Sequence, residues 1–232
     1  MLVGHFAVGL GAKPIAPRVS LGTLMLAAVV ADLLFWAFVL LGVEHVRVSP
    51  GITATNALDL YDISLSHSLA MDAVWAVLLG GAYFLRHRNA RGAWVLAAVV
   101  LSHWVLDFVS HRPDMPLAPG LHTYLGLGLY NSRMGILIAE GLLWVVGVVA
   151  YARAMKAKNR AGLLGFWIVV VLLTILWIGT LNGKPPSNLR AAGISSLIFF
   201  SCVVAWAYWM NRVRSVKGGD QTGAAPVAAG AV

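Results

Sequence analysis

Leu101-Ser102-His103-Trp104-Val105-Leu106-Asp107-Phe108-Val109-Ser110-His111 closes an apolar run that begins near Ala93. His103, Asp107 and His111 follow one another at intervals of four. On a helix such residues lie one turn apart on the same face, with Cβ atoms roughly 5–6 Å apart. Two imidazoles and a carboxylate therefore make a polar stripe on an otherwise apolar rod. Ionisable groups at membrane depth are costly and face a partner, a metal or a water-filled cavity. Neutral imidazole and carboxylate are ligands of Zn²⁺ and, with more oxygens, of Mn²⁺ or Fe. Where several ions are held about 3.5–4 Å apart, the usual chemistry is hydrolysis of phosphoesters.

The elements that must position this stripe are apolar helices. The chain is 59% hydrophobic and only 11% charged, about half the charge of a soluble domain. Apolar runs of around 20 residues recur, which predicts a polytopic all-α membrane bundle in one domain, 1–214. Six spans are expected, from Val19 to Val43, Ser66 to Leu85, Gly92 to Ser110, Ser132 to Ala152, Ala161 to Leu181 and Arg190 to Asn211. Met1 to Ala12 is too short to span and reads as a half-helix packed on protein or lying at the interface. It lacks a basic leader and a small-residue cleavage site, so no cleavable signal is expected. From Ser215 the chain is Gly, Ala, Pro and polar residues and reads as a disordered tail, 215–232. Cys202 is the single cysteine, which excludes an intramolecular disulfide.

The net charge of +8 does not point to nucleic acid, because the Lys and Arg fall at the ends of the apolar runs. Five of the seventeen, Arg47, Arg112, Arg133, Lys184 and Arg190, lie on one side and the rest on the other. Because cytoplasmic loops are the Lys/Arg-rich ones, both termini are expected in the cytoplasm. With that topology, His67 stands at the outer end of the second span and His103, Asp107 and His111 climb the outer half of the third. Asp32 lies just outward of the middle of the first, and Glu140 about two turns into the fourth. Acids and imidazoles of four helices thus share one layer. No Lys or Arg lies inside the spans to neutralise the acids, which favours a metal over internal salt bridges.

Gly4-His5, Ala31-Asp32, Ser66-His67-Ser68 and His103-x-x-x-Asp107 before a Pro-rich loop resemble the YdjM-like bacterial inner-membrane proteins. The resemblance covers roughly Met1 to Pro119. It implies a membrane-bound, metal-dependent hydrolase of the bacterial inner membrane, distantly similar to zinc-dependent phospholipase C and P1-type nucleases, which bind zinc clusters through His and Asp. The sequence departs from the family pattern at two points. Ala31-Asp32-Leu33-Leu34 lacks the Pro and second acid of Pro-Asp-x-Asp, and Asp62 stands where the family's second motif opens on His.

The candidate metal ligands are His5, Asp32, His67, His103, Asp107 and His111, for a divalent ion, Zn²⁺ first and Mn²⁺ or Fe next. Charge counting puts His5 on the inner side unless its segment re-enters towards the site. Asp32 or Glu140 would be the base that takes a proton from water. For His111 and Glu140 the alternative is to orient an imidazole; for His103 and Asp107 it is a hydrogen bond between helices. Asp72 is expected as a packing residue and Asp62 as a loop carboxylate. The expected substrate is a lipid or lipid-linked phosphoester, with an amide or ester lipid next, and no nucleic acid. A proton- or cation-coupled transporter is the competing class, but a relay should be polar through both halves of the membrane. A bundle merely braced by a structural metal is the third.

Overall fold

The structure, a computed structural model, describes residues 1–217. It is an all-α polytopic bundle. α1 (Val3–Ile15) is followed by α2 (Leu21–Leu41), a hairpin of β1 (His45–Val48) and β2 (Leu58–Asp62), the single turn α3 (Ser64–His67), α4 (Leu69–His87) and α5 (Ala90–Ser110). Two short strands, β3 (Met115–Pro116) and β4 (Tyr124–Leu125), and a 3-10 turn at Leu129–Asn131 lead to α6 (Arg133–Ala154). β5 (Met155–Ala157), α7 (Arg160–Leu181), α8 (Leu189–Val213) and β6 (Arg214–Val216) complete it.

Six helices, α2 and α4 to α8, are long and apolar enough to cross a bilayer. Side chains such as Val77, Leu142, Val146, Val171 and Ile175 are exposed on them. So much exposed apolar surface suits a lipid environment and would be a liability in water. Polar side chains fix the helix starts: Ser20, Ser68, Asn89, Ser132, Asn159 and Asn188 each accept a backbone N–H of the first turn. The Ser68 cap changes one expectation. Ser66 and His67 do not open the second span but belong to α3, and the span starts at Leu69.

α1 is the element the bundle is built around. Its thirteen residues reach about 20 Å, too short for a hydrocarbon core of about 30 Å, and Val3, Phe6, Ala7 and Leu10 are fully buried. Gly147 of α6 permits the approach, since a Cβ there would stand 2.4 Å from the Ala7 carbonyl oxygen. At the far end the Lys13 ammonium donates to the carbonyls of Pro17 and Val19, at 2.9 and 2.6 Å. That end shares a face with the end of α8, where Asn211 accepts the Leu21 N–H.

Met1 therefore does not lie at the basic face, as the charge count suggested. α1 runs from the middle of the bundle down to that face, and Met1 is buried beside Asp107. Nor does disorder begin at Ser215. Ser215 and Val216 belong to β6, which pairs antiparallel with β5, and Arg214 bonds the carbonyls of Gly162 and Met155 while stacking on Tyr151 and Phe166. The rest of the expected tail, 218–232, lies outside the described residues.

Candidate metal centre

α5 presents His103, Asp107 and His111 as one stripe facing inward, and three other elements close on it. α1 brings His5, α2 brings Asp32, and α3, held by the Ser68 break, brings His67. Asp107 is the hub. Its Oδ2 lies 3.2 Å from His103 Nε2 and 3.7 Å from His67 Nε2. Its Oδ1 lies 3.2 Å from His5 Nε2, 3.9 Å from His111 Nε2 and 2.6 Å from the Met1 amino nitrogen. Asp32 Oδ1 completes the Oδ2 side, 3.9 Å from His103 Nε2 and 4.0 Å from His67 Nε2.

Hydrogen bonds fix three of these rings. His103 Nδ1 donates to the Ala28 carbonyl at 2.9 Å, and a carbonyl can only accept. His111 Nδ1 faces the Asp114 carboxylate at 3.2 Å. His67 Nδ1 lies 2.8 Å from Ser66 Oγ, whose own proton goes to Glu44 Oε2 at 2.6 Å, so the hydroxyl oxygen accepts from the imidazole. In all three Nδ1 is bonded to an oxygen and Nε2 is turned towards Asp107, so in the neutral ring the Nε2 lone pair faces the carboxylate. Metal-ligating histidines are held in the same way, with the far nitrogen donated to a carboxylate, carbonyl or hydroxyl. His103 Nε2 is fully buried without a hydrogen-bond partner. His5 stacks flat on His103, ring centroids 3.7 Å apart.

The separations suit an ion. Two ligand atoms on a tetrahedral Zn²⁺, each about 2.1 Å from it, stand about 3.4 Å apart. Asp32 Oδ1 and Asp107 Oδ2 each lie between 3.2 and 4.0 Å from His67 Nε2 and His103 Nε2. Asp32, His67 and His103 form one group that could hold a metal ion, and His5, His103 and Asp107 another. Burial pushes the His67 imidazole down to about 3, so the ring is neutral and able to ligate. Asp32 is the most open member, its side chain 20% exposed where Asp107 is 3% and His103 0%. Any small molecule reaching the cluster has most room there.

Five of the six expected ligands thus meet at van der Waals or hydrogen-bond range of one another, and His111 reaches the same hub at 3.9 Å. His5 arrives because its segment re-enters. Glu140 has a different employment from the base expected of it. Its Oε1 accepts the Gly4 N–H at 3.0 Å and its Oε2 the Trp177 indole N–H at 2.7 Å, which ties α1 to α6 and α7. Asp72 is buried and accepts the Trp104 N–H at 3.1 Å, in keeping with packing, and Asp62 pairs with His45 at the surface.

Two acids that sequence reasoning missed support the site from loops. Glu44, raised by burial against the hydrogen bonds of Ser66 and Leu65, takes the backbone N–H groups of Leu65 and Ser66 as well as the Ser66 hydroxyl. Asp114 is held by Arg112, which also bonds Asp59, itself paired with Arg47 across the hairpin. The spacing His111-x-x-Asp114 was a readable signal; Glu44, just past the end of α2, carried none.

Comparison with protein-family models, curated proteins and solved structures finds no match to this chain. Fold and site nevertheless define a class: a helical membrane protein with a buried His/Asp cluster that could hold a metal ion.

Proposed function

We propose that this chain is a membrane-embedded, metal-dependent hydrolase acting on a phosphoester of a lipid or lipid-linked substrate at the outer face of a bacterial inner membrane. One observation carries the reading. Three imidazoles, His67 of α3 and His103 and His111 of α5, turn Nδ1 to an oxygen and Nε2 to the carboxylate of Asp107, deep in an apolar bundle. With the rings neutral, hydrogen bonding alone leaves acceptors facing acceptors, whereas a cation satisfies them.

Asp32, His67, His103 and Asp107 would hold the ion on the Oδ2 side of Asp107, and His5 and His111 would add ligands on the Oδ1 side. A bound divalent ion supplies Lewis acidity and an activated water. Asp32, with the most open carboxylate, is placed to orient that water and accept its proton. The bundle walls exclude bulk water and leave an amphipathic substrate its acyl chains in lipid. Zn²⁺ is the leading ion for an imidazole-rich set, with Mn²⁺ or Fe next.

The test is elemental analysis of detergent-purified protein together with a lipid phosphoester assay on the wild type, His103→Ala and Asp107→Asn. Stoichiometric metal in the wild type, lost together with turnover in both variants, supports the reading. A metal-free wild type overturns the centre. Metal retained with no hydrolysis, but with ion flux in liposomes, turns the assignment to a transporter.

A further inference from the structure

At the end of the bundle opposite the cluster, the α1–α2 turn meets the α4–α5 turn around a cavity of about 330 Å³. It is lined by Arg18, Tyr83, His87, Arg88, Asn89 and Ala90, with no carboxylate among them. An excess of Lys and Arg at this end is expected from topology alone. Concavity, and the convergence of basic residues from two distant segments, are not.

Local chemistry builds the cavity. Lys13 spends its hydrogen bonds on the carbonyls of Pro17 and Val19, folding the turn so that Arg18 between them points outward and is exposed. Gly92 lets that turn dock: a Cβ there would lie 2.7 Å from the Tyr83 ring and 2.8 Å from both Asn89 Nδ2 and Val19 Cγ2. Arg88, the cap of α4, has φ of 51° and is the one non-glycine residue with positive φ among the described residues. Glycine would adopt that conformation at less cost, so a guanidinium is kept there against the backbone's preference. Asn89 Nδ2 donates to the Tyr83 hydroxyl at 3.5 Å, leaving the phenolic proton free to donate elsewhere.

We propose that this cavity binds the phosphate diester of an anionic phospholipid headgroup. Arg18 and Arg88 supply planar guanidinium forks that match phosphate oxygens, and the Tyr83 hydroxyl supplies a neutral donor. The cavity lies where α4 ends and α5 begins, the depth at which bilayer phosphates sit. Phe84, Leu85 and Trp94, within two turns along the same helices, are exposed apolar side chains. Acyl chains would lie on them, which selects a lipid over a free phosphate ion. The site is about 30 Å from the metal cluster along α4, and the proposal does not depend on hydrolysis.

The test is lipid titration of delipidated full-length protein in non-ionic detergent, read by native mass spectrometry. The wild type should take up one tightly bound phosphatidylglycerol in preference to phosphatidylcholine. Arg18→Gln with Arg88→Gln should weaken that binding about twenty-five-fold, at roughly fivefold per basic contact. Arg153→Gln with Arg160→Gln, basic residues of the same end outside the cavity, should leave it within about twofold of the wild type. Equal losses in the two double variants, no loss in the first, or equal uptake of phosphatidylcholine would overturn the site. Displacement of the lipid by inorganic phosphate would overturn the lipid and leave an anion site.

Discussion

Replacing Glu44 with Gln changes no volume and touches no candidate ligand, yet it should impair metal binding. Glu44 Oε1 accepts the N–H groups of Leu65 and Ser66 at 2.8 Å each, so an amide must keep its oxygen there. Its NH2 group then faces Ser66 Oγ, which in the wild type donates to the other carboxylate oxygen at 2.6 Å. Two donors cannot share that line. The hydroxyl becomes an acceptor, its proton turns to His67 Nδ1 at 2.8 Å, and the imidazole must carry its own proton on Nε2. That proton points at Asp107 Oδ2 and Asp32 Oδ1, 3.7 and 4.0 Å away, and occupies the lone pair an ion needs. Losing such an orienting partner costs about 10–100-fold in metal affinity, or about 1.4–2.7 kcal/mol. Every hydrogen bond has a replacement, so the metal-free protein should unfold within about 0.5 kcal/mol of the wild type. Zinc competition against a chromogenic chelator measures the first quantity, and denaturant or thermal unfolding of stripped protein the second. Wild-type affinity in Glu44→Gln would refute the tautomer argument, and so would an affinity loss matched by an equal loss of metal-free stability.

Glu140→Gln offers one oxygen to the two buried donors of Gly4 and Trp177 and should destabilise the fold by about 2–3 kcal/mol, seen as a lower unfolding midpoint; intact stability with abolished turnover would instead make Glu140 the base. Lys13→Met keeps the apolar stem but strands the Pro17 and Val19 carbonyls, at about 1–3 kcal/mol, and should weaken anionic-lipid binding along with stability. An unchanged midpoint would show that the ammonium does not hold the turn. Gly147→Ala drives a Cβ to 2.4 Å from the Ala7 carbonyl and should cost about 1–3 kcal/mol, lowering metal affinity because α1 carries His5. Gly81→Ala, into open space on α4, is the control, and equal effects from the two would sink the packing argument.

Hydropathy located all six long helices because burial in lipid demands long apolar runs, but it could not see where side-chain chemistry ends a helix. Ser68 cuts α3 from α4 where polar and apolar residues alternate, and that break turns His67 inward. Spacing by four put His103, Asp107 and His111 on one face, since helix geometry alone decides it. Depth brought Asp32 and Glu140 to the same layer, but depth does not set direction: Asp32 faces the imidazoles, whereas Glu140 faces Gly4 and Trp177. The charge count failed for α1 for a related reason. It locates the basic end of a segment, here Lys13, and says nothing of how far a short helix reaches from that end into the bundle.

The strongest argument for a cation lies in where the protons are. With Nδ1 of His67, His103 and His111 each committed to an oxygen, three Nε2 atoms converge on one carboxylate at 3.2 to 3.9 Å, and in neutral rings each carries a lone pair. Acceptors that close, out of water, repel one another. Protonating His103 or His111 would relieve part of the clash, but His67 gives no such relief, because burial holds it neutral across the physiological range. The Met1 amino group is itself cationic and lies against Asp107 Oδ1 and His5 Nε2, at 2.6 and 3.0 Å. It therefore lies on the Oδ1 side of the carboxylate, while His67, His103 and Asp32 gather around Oδ2. On that side a divalent ion about 2.1 Å from each ligand is the species whose charge and size answer the arrangement.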